Sequence, residues 1–301
     1  MPTPDKMELL DALEKGETVS AGKWWRRLWR APLSYFIWAG SRSFLKPFFS
    51  NGIDTSARTF FGKKMSVRLP AAADIYITGC KGKPQDTRLA RWMINHIQPA
   101  WQVMDIGAHF GYYSLLLEQL AGPGGTVISF EPAPLAYRIL AVNAAAYPAI
   151  QPYNAGLGSA TGRQLLSVHG LQDSESNKFA GLAGAKTILA DIITLDDWII
   201  AHRIIPRFIK ATVEGSEWNL IKGAASTIFL YHPVFAIEIQ TTHFEQACYP
   251  AIEWLKANGY RMYSLSEDGE LLHCADAWSY LQSRNVKMDY FLFMPREKIK
   301  H

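Results

Sequence analysis

Apolar positions along the chain change period several times, and each change marks an element. Residues 5–15 (DKMELLDALEK) place Met7, Leu10 and Leu13 at helical spacing, with Gly16 positioned to end a short amphipathic helix. From about Lys63 the pattern shortens. MSVRLP and DIYITG read as short strands, and Asp86 is placed to cap a helix over TRLARWMINHIQ that carries Leu89, Trp92, Met93 and Ile97 on one side. Beyond it, nearly continuous apolar runs at 101–107, 126–132, 150–158, 207–215, 233–240, 260–266 and 288–295 alternate with helical patterns at 111–121, 134–147, 194–203, 216–230 and 244–258. Apolar strands interleaved with helices predict a doubly wound, mostly parallel α/β sheet of seven strands with both faces covered. The last two runs have no helical pattern between them, which permits an antiparallel final pair. Two regions are expected: a helical extension over 1–60 and an α/β domain over 61–301.

Charge modifies this picture at one place. The chain has 301 residues and a net charge of +4. Six basic residues (Lys23, Arg26, Arg27, Arg30, Arg42 and Lys46) and no acid lie between Thr18 and Ile53, so the remainder is acidic on balance. Trp24, Trp25, Trp29 and Trp38 fall in the same stretch. Trp25, Leu28, Trp29, Leu33, Phe36 and Ile37 recur at three- and four-residue steps and share a face. The longest uncharged run, Ala31 to Ser41, is too short to span a bilayer. A basic, Trp-rich amphipathic segment over 23–49 suits an anionic membrane surface or a lipid-linked acceptor, and packing on the α/β domain is the alternative. No base-reading motif accompanies the charge, so nucleic acid is not expected as a partner. Three scattered cysteines without a CxxC pair suit a reducing compartment, which places the protein in the cytoplasm, with possible peripheral attachment at the inner face of a membrane.

In a doubly wound sheet, ligands bind beyond the carboxyl ends of the strands. The first of those ends reads DIGAHFGYY, with Gly107 and Gly111 allowing a sharp turn. The second ends in Phe130-Glu131-Pro132, and Glu131 stands where an acid accepts hydrogen bonds from ribose hydroxyls. Two glycines four apart fall short of the three that admit a pyrophosphate. An adenosine ligand without phosphates therefore fits better than a dinucleotide, and S-adenosylmethionine is such a ligand. The candidate cofactor-binding residues are Asp105, Gly107, His109, Gly111, Tyr112, Glu131, Pro132, Asn154, Ala155 and Thr212.

At this point the sequence resembles the FkbM-type S-adenosylmethionine-dependent methyltransferases. The resemblance rests on VMDIGAHFGYYSLLL, VISFEPAPLAYRIL, NAGLG, TLDDWI and FIKATVEGSEWNLIKGA followed by FAIEIQ, in that order over roughly 100–245. It implies a class I methyltransferase (Rossmann-like) fold and methyl transfer, commonly to a hydroxyl of a sugar, glycolipid or other small-molecule acceptor. The family pattern usually reads I-K-x-D-V-E-G, and here Thr212 takes the place of the aspartate.

Methyl transfer from a sulfonium needs an aligned acceptor and, for a hydroxyl, a proton acceptor. Candidate catalytic residues are Lys210, Glu214, Glu238 and His243, with Glu217 read mainly as a first-turn helix acid. The loop at 170–187 offers Ser174, Ser176 and Asn177 to a sugar hydroxyl. No His or Cys cluster has metal-ligand spacing, so no metal is expected. A non-catalytic binding or accessory protein on the same fold, or a nicotinamide-dependent oxidoreductase, are the alternative functions. The oligomeric state is not readable.

Overall fold

The computed structural model describes residues 5–21, 52–168, 177–179 and 186–296. The basic, Trp-rich segment at 23–49 and most of the 170–187 segment, with Ser174 and Ser176, lie outside the described residues.

Helix α1 (Lys6–Ala21) runs on past Gly16, the residue expected to end it. A Cβ at Gly16 would collide with the Cys80 sulfur, so the bare backbone is what lets α1 lie against the neighbouring turn. Leu9 and Leu13 are buried in the same cluster as Trp92. Strands β1 (Ile53–Arg58) and β2 (Lys64–Leu69) form an antiparallel hairpin on either side of residues 60 and 61. The DIYITG run is a helix, α2 (Ala73–Thr78), and not a strand. Gly79 closes it at φ +75°, donating its N–H to the Ile75 carbonyl, while the Asp74 carboxylate accepts from the N–H groups of Ile75 and Gly82 and draws the following turn back over the helix. Helix α3 (Pro84–His96) starts with proline in its first turn. Asp86 therefore sits inside that turn, not at its cap; it is buried and accepts a 2.7 Å hydrogen bond from the Tyr113 hydroxyl.

Among the described residues the main sheet has eight strands in the order β13–β12–β14–β11–β10–β3–β4–β5. They are β3 (Gln102–Ile106), β4 (Thr126–Phe130), β5 (Ile150–Tyr153), β10 (Phe208–Ala211), β11 (Val234–Gln240), β12 (Tyr260–Leu265), β13 (Leu271–His273) and β14 (Met288–Pro295). The five from β5 to β11 are parallel, and β14 is antiparallel to both of its neighbours. The expected seven strands are thus present, with β13 added at the edge. Helices α4 (Tyr112–Ala121), α5 (Pro134–Ala144), α6 (Leu195–His202), α7 (Glu217–Lys222), α8 (Ala225–Tyr231) and α9 (Tyr249–Ala257) alternate with the parallel strands. Thr194 caps α6 by accepting from the Asp197 N–H. The single helix expected over 216–230 is two, broken at Gly223 and Ala224. A helix in the segment read as helix-free, α10 (Ala277–Ser283), is capped by Asp276.

A separate four-stranded sheet was not expected. It contains β6 (Gly156–Leu157), β7 (Gly162–Val168), β8 (Asn177–Phe179) and β9 (Lys186–Ile193), ordered β6–β9–β7–β8. The run at 150–158 therefore feeds two sheets, with Asn154 and Ala155 at the corner.

Alternation along the central strands sorts two cores. In β11, Val234 and Ala236 join the core that holds Trp92 and Leu116, while Phe235, Ile237 and Ile239 join the core that holds Trp198 and Leu255. The same alternation puts Glu238 on the first face. Register pairs Lys210 with Asp105 and Glu238 with Tyr290, so four polar side chains reach one face near the carboxyl ends of the strands, beneath α3 and α4.

Candidate active site

The order of strands reverses between β3 and β10, and there the carboxyl ends open on a cleft with about 170 Å³ of solvent space. The N–H groups of Gly107 and Ala108 both donate to the Phe130 carbonyl, at 2.9 and 3.0 Å, and fold the turn after β3 across the end of β4. Gly107 has φ +71°, and a Cβ there would run into the backbone carbonyl of Thr212 on the adjacent strand. Glycine is thus required by the close approach of two backbones.

Glu131, 2% exposed, directly follows β4. Its carboxylate accepts from the His109 N–H at 2.8 Å and, through the other oxygen, from the Ala133 N–H at 2.9 Å. The exposed Asn154 stands behind it, its amide donating to the Glu131 and Pro132 carbonyls. Burial pushes the Glu131 carboxyl up to about 7 against the pull of these two N–H donors. His109 is held in the opposite sense: burial, and then the cations Lys81 and Lys210, push its imidazole down to about 3, so it stays neutral.

Beneath the turn runs a buried polar chain. Ser129 donates to Ser114, Ser114 donates to Asp105 at 2.7 Å, and the Lys210 ammonium lies 3.0 Å from the other Asp105 oxygen. Lys210 also donates to the Gly107 carbonyl at 3.1 Å. Both members of the ion pair are almost completely buried, a setting in which removing one partner costs several kcal/mol. Lys210 lines the cleft but is committed to Asp105 and Gly107, so it orders the turn.

The opposite wall comes from β2, α2 and the turn that follows, residues that the sequence pattern did not single out. Met65, Arg68, Asp74, Ile75 and Lys81 all line the cleft. The Lys81 ammonium lies 5.1 Å above the Tyr113 ring and 3.8 Å from an Asp86 oxygen. Burial would lower its pKa, but Asp86, Glu238, Asp74 and Asp105 outweigh burial and leave it raised. Facing this wall is Glu238, 8% exposed, which accepts from the Gln240 amide at 3.0 Å. Burial, and then repulsion from Asp86, raises its carboxyl. The Thr212 hydroxyl is 2.9 Å from the hydroxyl of Tyr290, the partner of Glu238 across the strand pair.

Of the residues expected to bind cofactor, Gly107, His109, Tyr112, Glu131, Pro132, Ala155 and Thr212 line the cleft. Asp105 lies below it, Gly111 forms the N-cap of α4, and Asn154 supports Glu131 from outside. Of the expected catalytic residues, Lys210, Glu214 and Glu238 line it. Glu214 adopts φ +44°, an uncommon conformation for a residue with a side chain. His243 does not join them; its ring packs against Gly215. Glu217 is buried away from the cleft, accepting from the Gly215 N–H. Among the described residues, no group of three or more His, Cys, Asp or Glu side chains is arranged to hold a metal.

Strand order, the antiparallel β14 and a glycine turn opposite a strand-terminal acid define a class I methyltransferase fold. The Methyltransferase FkbM domain matches residues 105–262, just over half of the chain, and the chain belongs to the FkbM methyltransferase family. No curated protein matches it. Similar solved structures include methyltransferase FkbM from Methylobacillus flagellatus, with 18% identity, a TM-score of 0.45 and coverage of 74% of this chain and 52% of that one. This chain thus spans about half the length of that relative. A precorrin-6y C5,15-methyltransferase from Geobacter metallireducens is 14% identical, with a TM-score of 0.40 over 70% of this chain and 87% of that one. Aeropyrum pernix fibrillarin, solved with natively bound S-adenosyl-L-methionine, is 11% identical, with a TM-score of 0.41 over 69% and 74% of the two chains.

Proposed function

We propose that this protein transfers a methyl group from S-adenosylmethionine to a hydroxyl of a sugar, glycolipid or other uncharged small molecule. The observation that carries the reading is Glu131. Its carboxylate stands at the end of the strand on the cleft wall, oriented by the backbone N–H groups of His109 and Ala133, the place where an acid meets a ribose diol. A pyrophosphate is poorly served, because His109 and Tyr112 stand where a G-x-G-x-x-G turn begun at Gly107 has its second and third glycines. Apolar Phe130, Leu157, Leu166 and Ile192 also line the cleft and offer an adenine an apolar surface.

When bound, S-adenosylmethionine supplies an electrophilic methyl on a sulfonium, whose departure needs no acid. The chain must hold the acceptor and take its proton. Glu238 and Glu214 are the cleft carboxylates available for that proton, while neutral His109 and the paired Lys210 orient the turn. Asp74, Glu131, Glu214 and Glu238 face the cleft against Arg68, Lys81 and Lys210. Lys210 is paired with Asp105 and Arg68 with Asp54, at 3.0 and 2.8 Å. This acidic balance suits a cationic donor and an uncharged acceptor.

Calorimetry with S-adenosylmethionine, S-adenosylhomocysteine and NAD tests the reading. Binding of the first two and not the third is expected, and binding of NAD alone would favour the oxidoreductase alternative. Label transfer from the donor separates an enzyme from a non-catalytic binding protein. For residues 23–49 we propose contact with an anionic membrane surface or a lipid-linked acceptor on the cytoplasmic side, supported by the charge and Trp content of that segment. No helix among the described residues is long and apolar enough to cross a membrane.

A further inference from the structure

We propose that Lys81 and Glu238 together form the acceptor end of the cleft, where they grip the hydroxyl that receives the methyl group. The inference rests on the methyltransferase reading given above. Neighbouring strands lie about 4.8 Å apart, so the end of β10 is about 10 Å from that of β4 and the end of β11 about 14 Å. A ribose held at Glu131, just after β4, would leave the remainder of the donor to pass Gly107, just after β3, towards the ends of β10 and β11. Glu238 is the cleft-lining acid on β11. Lys81 faces it from the turn after α2, within its electrostatic reach.

The surroundings fix Lys81 as a cation and aim it. Its ammonium sits above the Tyr113 ring, and the Tyr113 hydroxyl is held at 2.7 Å by Asp86, the same carboxylate that lies 3.8 Å from Lys81. Tyr113 carries a second cation, Lys210, 5.2 Å from its ring centroid. Lys210 is occupied by Asp105 and the Gly107 carbonyl, whereas the Lys81 side chain retains 23% of its exposure. Lys81 is therefore the ammonium placed to meet a bound acceptor. In the step, the acceptor O–H bond breaks and its proton passes to the Glu238 carboxylate. The oxygen forms its bond to the methyl carbon as the carbon–sulfur bond breaks, and that electron pair leaves on sulfur. Lys81 stays protonated and stabilises charge developing on the oxygen.

The two charges also distinguish the donor from its demethylated product, because only the donor carries a sulfonium. Lys81→Met should strengthen S-adenosylmethionine binding relative to S-adenosylhomocysteine, and Glu238→Gln should weaken it. Each change is expected at about tenfold, the scale of a unit charge several ångström away at an intermediate dielectric. Titration calorimetry of the full chain with both ligands, run on the alkaline side of neutrality because burial raises the Glu238 carboxyl, reads the ratio. A merely structural role moves both affinities together. Lys256→Met, which removes a surface cation paired with Glu253, should leave the ratio unchanged. Lys81 is partly exposed, so Lys81→Met and Lys81→Gln carry the test even where Glu238→Gln fails to fold. A parent protein that binds both ligands, with an unchanged ratio in the Lys81 variants, overturns this assignment alone. A parent that binds neither overturns the methyl-donor reading, and this assignment with it.

Discussion

Gly107→Ala should destabilise the protein without any ligand present. The residue sits at φ +71°, where an alanine costs about 1–2 kcal/mol. Its Cβ would also stand far inside the contact distance to the Thr212 carbonyl, so β3 and β10 must part by on the order of 1 Å at their carboxyl ends. That movement strains the Thr212 N–H bond to the Ile106 carbonyl and the Lys210 bond to the Gly107 carbonyl, at 3.0 and 3.1 Å. Two hydrogen bonds at about 1 kcal/mol each, with an overpacking cost of about 1–3 kcal/mol, bring the extra loss to about 3–5 kcal/mol. Gly62→Ala provides the reference. Gly62 has φ +84° but nothing within 4 Å of a Cβ, so it carries the conformational cost alone. Thermal melts of the two variants should differ by about 5–10 °C. Equal melting temperatures would refute the close-approach account and return Gly107 to a role of making room for ligand, which appears only in a donor titration.

Glu131→Ala should weaken S-adenosylmethionine binding by about 1.5–3 kcal/mol, read by calorimetry; unchanged affinity in a folded variant removes Glu131 from the ribose site. The affinity of S-adenosylhomocysteine should rise with pH up to about 7 and then level off, because burial raises the free carboxyl to about 7 and hydroxyl donors favour its ionised form. Proton release on binding, measured in buffers of different ionisation enthalpy, checks the sign. Lys210→Met should cost about 3–5 kcal/mol in urea unfolding, since it leaves Asp105 buried without its cation, and adding Asp105→Asn should recover part of the loss. Co-sedimentation with anionic liposomes should fall with salt and vanish on deletion of residues 1–50; a full-length protein that ignores such liposomes removes the membrane proposal.

The parallel core was legible because each central strand is apolar on both faces, and Glu131 and the Gly107 turn followed from strand ends alone. The failures have a common physical origin, in that long-range contacts decide conformation where the local pattern is short. DIYITG has strand-like composition, but Asp74 folds the following turn back and α2 packs on the hairpin and α1. Gly16 looks like a helix stop until Cys80 is placed beside it. His243 follows β11 closely in sequence, yet its ring turns to Gly215, outside the cleft. Lys81 carries no local signature at all; its significance arises from Tyr113 and Asp86, which belong to two other helices.

The wall built from β2, α2 and the Lys81 turn precedes the segment that matches the family, residues 105–262. Under the proposed reading the chain divides its labour: the shared segment handles the donor and supplies Glu238, and a short upstream stretch brings Lys81 and its wall to the acceptor. Two members of the family can then share the donor half and diverge in what they methylate by exchanging some twenty residues. In a chimera carrying residues 64–83 of another family member, acceptor preference should move while the glycine turn, Glu131 and the Asp105–Lys210 pair stay in place.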